Sequence, residues 1–333
     1  MNIKTKLHYS LIMMLLILFL PFVFGSCNQM HKKTELKLAH SLDPSHPVHK
    51  GMVYMGDLLK GISGGEMTIT IYPSGQLGSE QQCLELLQIG SLAITKVSAA
   101  VLEGFTDNFQ VLGLPYIFRS KEHANEVFDG PIGEELLLSV ERYNMLGLCF
   151  YDAGARSFYT LDKPINTPDD LKGLKMRVMP SQTAMGLVKA MGGSPTPISW
   201  GELYTALQSG VVDGAENNPP SFYTSHHYEV CKYYSLNEHT IVPDVLVVST
   251  VVWNKLTEQE QEWLTQAAKM SVTKQRQLWE ESEKESLMKV QEHGVIINYP
   301  DKEPFAEKVE DMIATYEQKP HLHSLIKRIR EVE

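Results

Sequence analysis

Arg177 is the third residue of a short alternating run, KMRV, two residues ahead of Met179-Pro180-Ser181. A guanidinium is planar and permanently charged, and its fork of N–H donors matches a carboxylate through two parallel hydrogen bonds. The flanking residues account for its position. Thr167 reads as an N-cap, Pro168 suits the first helical position, Asp170 closes a capping box, and Gly173 stops this short helix. Leu174, Met176 and Val178 then share one face of a strand, with Lys175, Arg177 and Met179 on the other. Ser181 caps a second helix whose apolar positions are Ala184, Leu187, Val188 and Met191, and Gly192-Gly193 end it. In open α/β sheets ligands bind beyond the carboxyl ends of strands, and a helix N-terminus favours anions. Arg177 is therefore expected to hold a carboxylate. The competing expectation, for Arg177 and Arg156 alike, is a structural arginine paired with Asp152 or Glu216.

The same punctuation recurs along the chain. ELKLAHSLD is a strand ending at His40 and Ser41, followed by an amphipathic helix, HPVHKGMVYMGDLLKGISGG, and a second strand, EMTITIYP. Ser79 with Gln82 opens the next helix, and SLAITKVS is a strand ending at Ser98. FQVLGLPYIF reads as a buried strand-like segment, HANEVFDG and GEELLLSVERY as helices, and LGLCFYDAG as a strand leading to Arg156. Ser199 and Glu202 form a capping box for WGELYTALQSG, VVDGAEN is a short strand ending at Asn217, and PDVLVVSTVVW is a long strand. Thr257 and Glu260 cap a helix that runs to about His293, roughly 50 Å at 1.5 Å per residue, long enough to brace two domains. GVIINYP and a helical tail complete the chain. Strands alternating with helices imply mostly parallel sheets whose carboxyl ends face one side. Polar strand ends spread over about 180 positions are thereby expected to converge.

Composition narrows the function classes. Lys4 and Lys6 precede an apolar run, Leu11 to Phe24, whose 14 residues suit a secretory signal better than a membrane span. Gly25-Ser26-Cys27 resembles a lipobox, which makes Cys27 a lipidation site, residues 1–26 the signal and 27–34 a polar tether. The alternative is ordinary cleavage near Ser26. Net charge is −10, or −12 without Lys4 and Lys6, which disfavours nucleic acid or an anionic membrane as partner. Cys83, Cys149 and Cys231 show no metal-like spacing and read as buried thiols, with one disulfide left open.

Other motifs carry little. Gly61-Ile62-Ser63-Gly64-Gly65 matches GxSxG but follows a helix and precedes a strand, the reverse of a nucleophile elbow, so a helix C-cap turn is expected. His226-His227 reads as surface histidines, since adjacent residues point apart and no carboxylate recurs at ligand spacing. No dinucleotide, Walker A or HExxH pattern is present. Neither a metal nor a cofactor is expected, and the chain is not read as an enzyme. An exported hydrolase using Ser63 and a ligand-sensing lipoprotein stand as alternatives.

YPSGQLGSE (72–80), LGLPYIF (112–118), TPDDLKGLKMRV (167–178), GGSPTPISWGELYTALQSGVVDGAEN (192–217) and YEVCKYY (228–234) together resemble the DctP-like solute-binding proteins of TRAP transporters, in order and spacing, from about Leu36 to the C-terminus. The resemblance implies an α/β fold of two periplasmic-binding-protein lobes joined by hinge strands and spanned by a long helix. Lobe I is expected over 35–153 and 243–282, lobe II over 154–242 and 283–333. It also implies a periplasmic, monomeric, lipid-anchored protein that delivers a small organic acid to membrane permease subunits. Arg177 then matches the family's carboxylate-binding arginine, Arg156 a second one, and Asn217 the asparagine of the same pocket. Ser98, His40 and Ser41 match contacts from the other lobe, and Trp200 sits where relatives carry an aromatic residue. Sialic acid is disfavoured because Ser98 occupies a position that looks acidic in its binders. With Asp244 beside the site, these polar residues suit several hydroxyls, so a hexuronate such as D-glucuronate or D-galacturonate is expected over a C4-dicarboxylate.

Overall fold

The computed structural model describes residues 33–333. The apolar run Leu11 to Phe24, Cys27 and the tether up to residue 32 lie outside the described residues. Among the described residues no helix is long and apolar enough to cross a membrane. Among the described residues eleven strands form two sheets: β1 (Thr34–Ala39), β2 (Met67–Tyr72), β3 (Ile94–Ser98), β4 (Met145–Tyr151), β5 (Ala155–Thr160), β6 (Lys175–Val178), β7 (Ser194–Pro197), β8 (Gly214–Asn217), β9 (Tyr233–Ile241), β10 (Asp244–Ser249) and β11 (Ile296–Asn298). The first sheet has the order β2-β1-β3-β10-β4, the second β11-β9-β5-β8-β6-β7. Thr34, read as the end of the tether, already pairs with Met67 in the first sheet.

The sheets are mixed rather than mostly parallel, and the exceptions have one cause. β4 leaves the first sheet and becomes β5 of the second through Asp152–Gly154; β9 returns as β10 through Val242 and Pro243. A strand arriving from the other sheet enters at the edge where its new neighbours end. β10 is therefore antiparallel to β3 and β4, with Asp244 opposite Ser98 and Tyr151. β5 likewise runs antiparallel to β8 and β9. Arg156 and Asp244 thus sit at strand beginnings, yet share an edge with strand ends.

Each sheet is covered on both faces, which explains the dense apolar runs. Along β10, Val245 and Val247 enter one core while Leu246 and Val248 enter the other, the period-two alternation of a doubly buried strand. The helix Glu258–Glu292 has the Thr257–Glu260 capping box intact. Its Leu264, Ala267, Ala268 and Trp279 pack in the core of the first sheet, and Val290 in a core of the second.

Five features differ from the sequence expectation. FQVLGLPYIF is no strand: Thr106 caps a 3-10 helix, Asp107–Gly113, and an apolar run buried on all sides carries no period to tell the two apart. Asn237, Glu238 and His239 interrupt the apolar pattern of β9 and hide it in the sequence, although Asn237 and His239 are fully buried. β10 ends at Ser249, and Thr250–Trp253 turns into a helix. Trp200–Glu202 is a 3-10 turn without a side-chain cap; the Ser199 hydroxyl donates to the Glu202 carboxylate instead. The final helix, Pro320–Glu331, also departs from the 283–333 lobe assignment, because its Leu322, Leu325, Ile326 and Ile329 pack in the first sheet's core with Phe109 and Val127.

Candidate functional site

The strand edges of both sheets meet at a cavity of about 350 Å³, a volume typical of small-molecule sites. Its wall carries seven of the eight ligand-binding residues expected from sequence: Ser41, Ser98, Arg156, Arg177, Trp200, Asn217 and Asp244. His40 is the exception. It is 1 % exposed, and its Nδ1 accepts from the Leu42 N–H at 3.1 Å, so the proton sits on Nε2 and goes to His49 Nδ1 at 2.9 Å. Burial, followed by the nearby charge of Lys96, pushes its pKa down to about 3, so it stays neutral. His40 shapes the backbone: its carbonyl accepts from Gly75 N–H, and this joins the Ser41–Leu42 and Ser74–Gly75 segments on the cavity wall.

The two arginines differ sharply. Arg156 is committed. Its Nε donates to Glu216 Oε2 at 2.5 Å, its Nη2 to Glu216 Oε1 at 2.8 Å, and its Nη1 to Asn217 Oδ1 at 2.7 Å. Burial works against both charges, but the ion pair outweighs it, holding the Glu216 carboxyl at about 2 and raising the Arg156 pKa. For Arg156 the structural pairing with Glu216 is what forms, and it reaches the cavity only beside that partner.

Arg177 is uncommitted. It is 2 % exposed; its Nε donates to the Ile198 carbonyl at 2.8 Å, its Nη1 has no partner, and among the described residues it forms no ion pair. The guanidinium lies 5.8 Å from the centroid of the Trp200 ring, against the same wall. Burial lowers its pKa, yet an arginine keeps its charge, so an unneutralised cation faces the cavity. The helix N-terminus beside it adds nothing for a ligand, contrary to expectation. The first turn of Gln182–Ala190 is already satisfied, with Ser181 accepting from Ala184 N–H at 3.0 Å and Glu103 from Thr183 N–H at 3.2 Å.

The first sheet contributes acceptors. Lys96 Nζ lies 2.9 Å from Glu80 Oε1 and 3.0 Å from Asp244 Oδ1, and Glu80 Oε2 accepts from Ser98 N–H at 3.2 Å. Burial raises the Asp244 pKa to about 6 despite Lys96, and the two carboxylates outweigh burial in raising that of Lys96. Sequence reasoning missed Glu80 and Lys96. The available signals were a lysine inside the apolar strand ITKVS and a glutamate closing the QLGSE motif. Asn217 is held by Tyr234, whose hydroxyl donates to its carbonyl at 2.8 Å.

The discounted motifs resolve as follows. Ser63 is buried at a helix C-terminus, where its Oγ accepts from Met67 N–H at 3.0 Å, as a capping turn does. His226 is exposed, but His227 is buried against the Tyr159 hydroxyl at 2.9 Å, so only one of the pair is a surface residue. Cys83, Cys149 and Cys231 are free and buried. Among the described residues no three His, Cys, Asp or Glu side chains converge as metal ligands.

Residues 38–319 match the family described as bacterial extracellular solute-binding protein, family 7, or DctP. An uncharacterized Salmonella typhimurium protein, YiiZ, is 38% identical over 302 residues, covering 90% of this chain and 92% of that protein. Among solved structures, a TRAP periplasmic solute-binding protein from Bradyrhizobium sp. BTAi1, in complex with α/β-D-galacturonate, superposes with a TM-score of 0.87 at 38% identity over 89% of this chain and 99% of that one. A second, from Anaerococcus prevotii with bound α/β-D-glucuronate, gives 0.87 at 36% identity over 90% and 98%.

Proposed function

The chain belongs to the DctP family of bacterial extracellular solute-binding proteins, and from that premise we propose that it captures a sugar acid, a hexuronate such as D-galacturonate or D-glucuronate, for a TRAP-type permease. The observation that carries this reading is Arg177, a buried guanidinium without a carboxylate partner on the wall of a cavity that also presents the acceptors Glu80 and Asp244, the hydroxyls of Ser41 and Ser98, and an apolar surface that includes Trp200 and Val242. Burying an unpaired charge is costly, and a ligand carboxylate relieves that cost through two charge-assisted bonds. Asn217 assists, held by Arg156 and Tyr234, while Trp200 offers an apolar wall to a sugar ring. Ser98 and Asp244 come from the first sheet, Ser41 and Glu80 from the turn and the helix that follow its strands, and Arg177 and Asn217 from the second sheet, so one ligand bridges both sides. Contacts to both sides bias an open–closed equilibrium toward closure.

In this reading the lobes are 35–153 with 243–282, and 154–242 with 283–319, the final helix moving with the first. The protein binds and releases its ligand unchanged, works as a monomer in the periplasm, and is anchored through lipid at Cys27. A thermal-shift screen of uronates, aldonates, dicarboxylates and keto acids tests the ligand class. D-galacturonate or D-glucuronate at a hundredfold excess over Kd adds about 2.7 kcal/mol of apparent stability and raises Tm by several degrees. Stabilisation by succinate and by no sugar acid rejects the reading.

A further inference from the structure

The buried groups on the two sides of the cavity carry opposite excess charge. On the second sheet's side Arg156 is neutralised by Glu216, and Glu202 on the cavity wall is exposed to water and accepts from the Ser199 hydroxyl, which leaves Arg177 as the buried positive charge. On the first sheet Lys96 stands between Glu80 and Asp244 and can neutralise only one of them. Asp244 is 6 % exposed, and its Oδ2 makes no hydrogen bond among the described residues while the side chain lines the cavity. The histidines nearest Lys96, His40 and His46, are held neutral by burial and by the lysine's own charge, so they supply no further cation.

Such a wall accepts hydrogen bonds from hydroxyls and repels a second anion. A hydroxyl donates to Glu80 or Asp244 at no electrostatic cost, whereas a carboxylate there meets a like charge in a site shielded from water. We infer that Glu80, Lys96 and Asp244 form a charge filter that admits acids with one carboxylate and rejects dicarboxylates, including the aldarates, acyclic acids that carry a second carboxylate at the carbon through which a uronate closes its ring. The inference deepens the sugar-acid reading and rests on it. Lys96 is integral to the device: by compensating one carboxylate it keeps the pair charged in a buried place, leaving a single excess charge.

Calorimetric titration with D-galacturonate, D-galactonate, galactarate and succinate tests it. Galactonate and galactarate are both acyclic, so their comparison isolates the second charge from ring shape. The wild-type protein is expected to bind galactarate at least a hundredfold more weakly than galactonate. Asp244→Asn and Glu80→Gln, checked for folding by circular dichroism, should each narrow that ratio at least tenfold. Binding of galactarate within threefold of galactonate overturns the filter, as do two folded variants that keep the wild-type ratio. Should no sugar acid bind, the sugar-acid reading falls and the filter, which rests on it, falls with it; sugar-acid binding with galactarate or succinate bound as tightly overturns the filter alone.

Discussion

Arg177 and Arg156 flank the same strand, β8, and a sequence gives little reason to treat them differently. Arg177 lies opposite Ala215, and Arg156 is one residue before Ser157, which pairs with Asn217. Their partners separate them. Removing Arg156 leaves Glu216 buried and uncompensated, so Arg156→Met should lower stability by about 3–5 kcal/mol even without ligand. Arg177 has no carboxylate to abandon. Arg177→Met should leave the unliganded Tm unchanged or raised, while costing about 3–5 kcal/mol of binding, two to three decades or more in Kd. Arg177→Lys should also bind poorly, because an ammonium lacks the planar fork. Thermal melts with and without ligand, combined with calorimetry, separate the two arginines. A large loss of unliganded stability in Arg177→Met would show that it is a structural arginine after all.

At the scale of elements, the crossing from β4 to β5 is where the two sheets are joined most tightly to a third element. Gln275, fully buried in the long helix, accepts from Asp152 N–H at 2.9 Å and donates to the Asp152 carbonyl at 2.8 Å. A single amide thus satisfies both backbone groups of a residue that has left one sheet and not yet entered the next. Gly154 follows at a φ of 57°, and a Cβ there would lie 2.8 Å from the Trp279 indole nitrogen, so the turn needs glycine and brings the chain against the same helix. Gln275→Leu keeps the volume but strands a buried N–H and a buried C=O. At about 1–3 kcal/mol for each orphaned group, it should cost at least 2 kcal/mol in denaturant unfolding. Gln275→Glu should recover part of the loss only at low pH, where a protonated carboxyl both accepts and donates while an ionised one would bury an unpaired charge. A leucine variant as stable as wild type would remove the long helix's claim to hold the crossing.

On the scale of the whole molecule, Glu103 links parts that belong to different sheets. It follows the helix Ala99–Leu102 at the end of β3, yet its carboxylate accepts from Thr183 on the helix that follows β6. Burial pushes its pKa up to about 7, despite hydrogen bonds from Thr183, Ser181 and Gln182 that favour the charged form. A carboxyl whose folded pKa lies above its unfolded value binds more protons when folded. Its effect on stability is therefore least unfavourable below about 4.5 and worsens as pH rises towards 7. The difference between wild type and Glu103→Gln reports this group while other titrations largely cancel. The variant should match wild type near pH 4 and gain on it above pH 7, by an amount on the order of 2–3 kcal/mol. A stability difference that stays flat between pH 4 and pH 8 would sink this account.

Local chemistry was legible in the sequence. Capping boxes at Ser79–Gln82 and Thr257–Glu260, the alternation of KMRV, and polar residues at strand ends depend on neighbours within a few positions, and each formed as expected. Ser41, Ser98, Arg177 and Asn217 came together for the same reason, because alternating strands and helices leave strand ends on one edge, whereas Arg156 and Asp244 reached that edge at the beginnings of strands crossing between the sheets. Direction, partnership and charge balance were decided only by tertiary structure. Arg156 meets Glu216 across 60 positions, and Lys96 meets Asp244 across 148. No periodicity records such pairs, and His40 was misjudged because a polar residue at a strand end turns either to the cavity or to the backbone beside it. An excess charge belongs to all the groups packed around it. Only the fold could show that Arg177 was left unpaired.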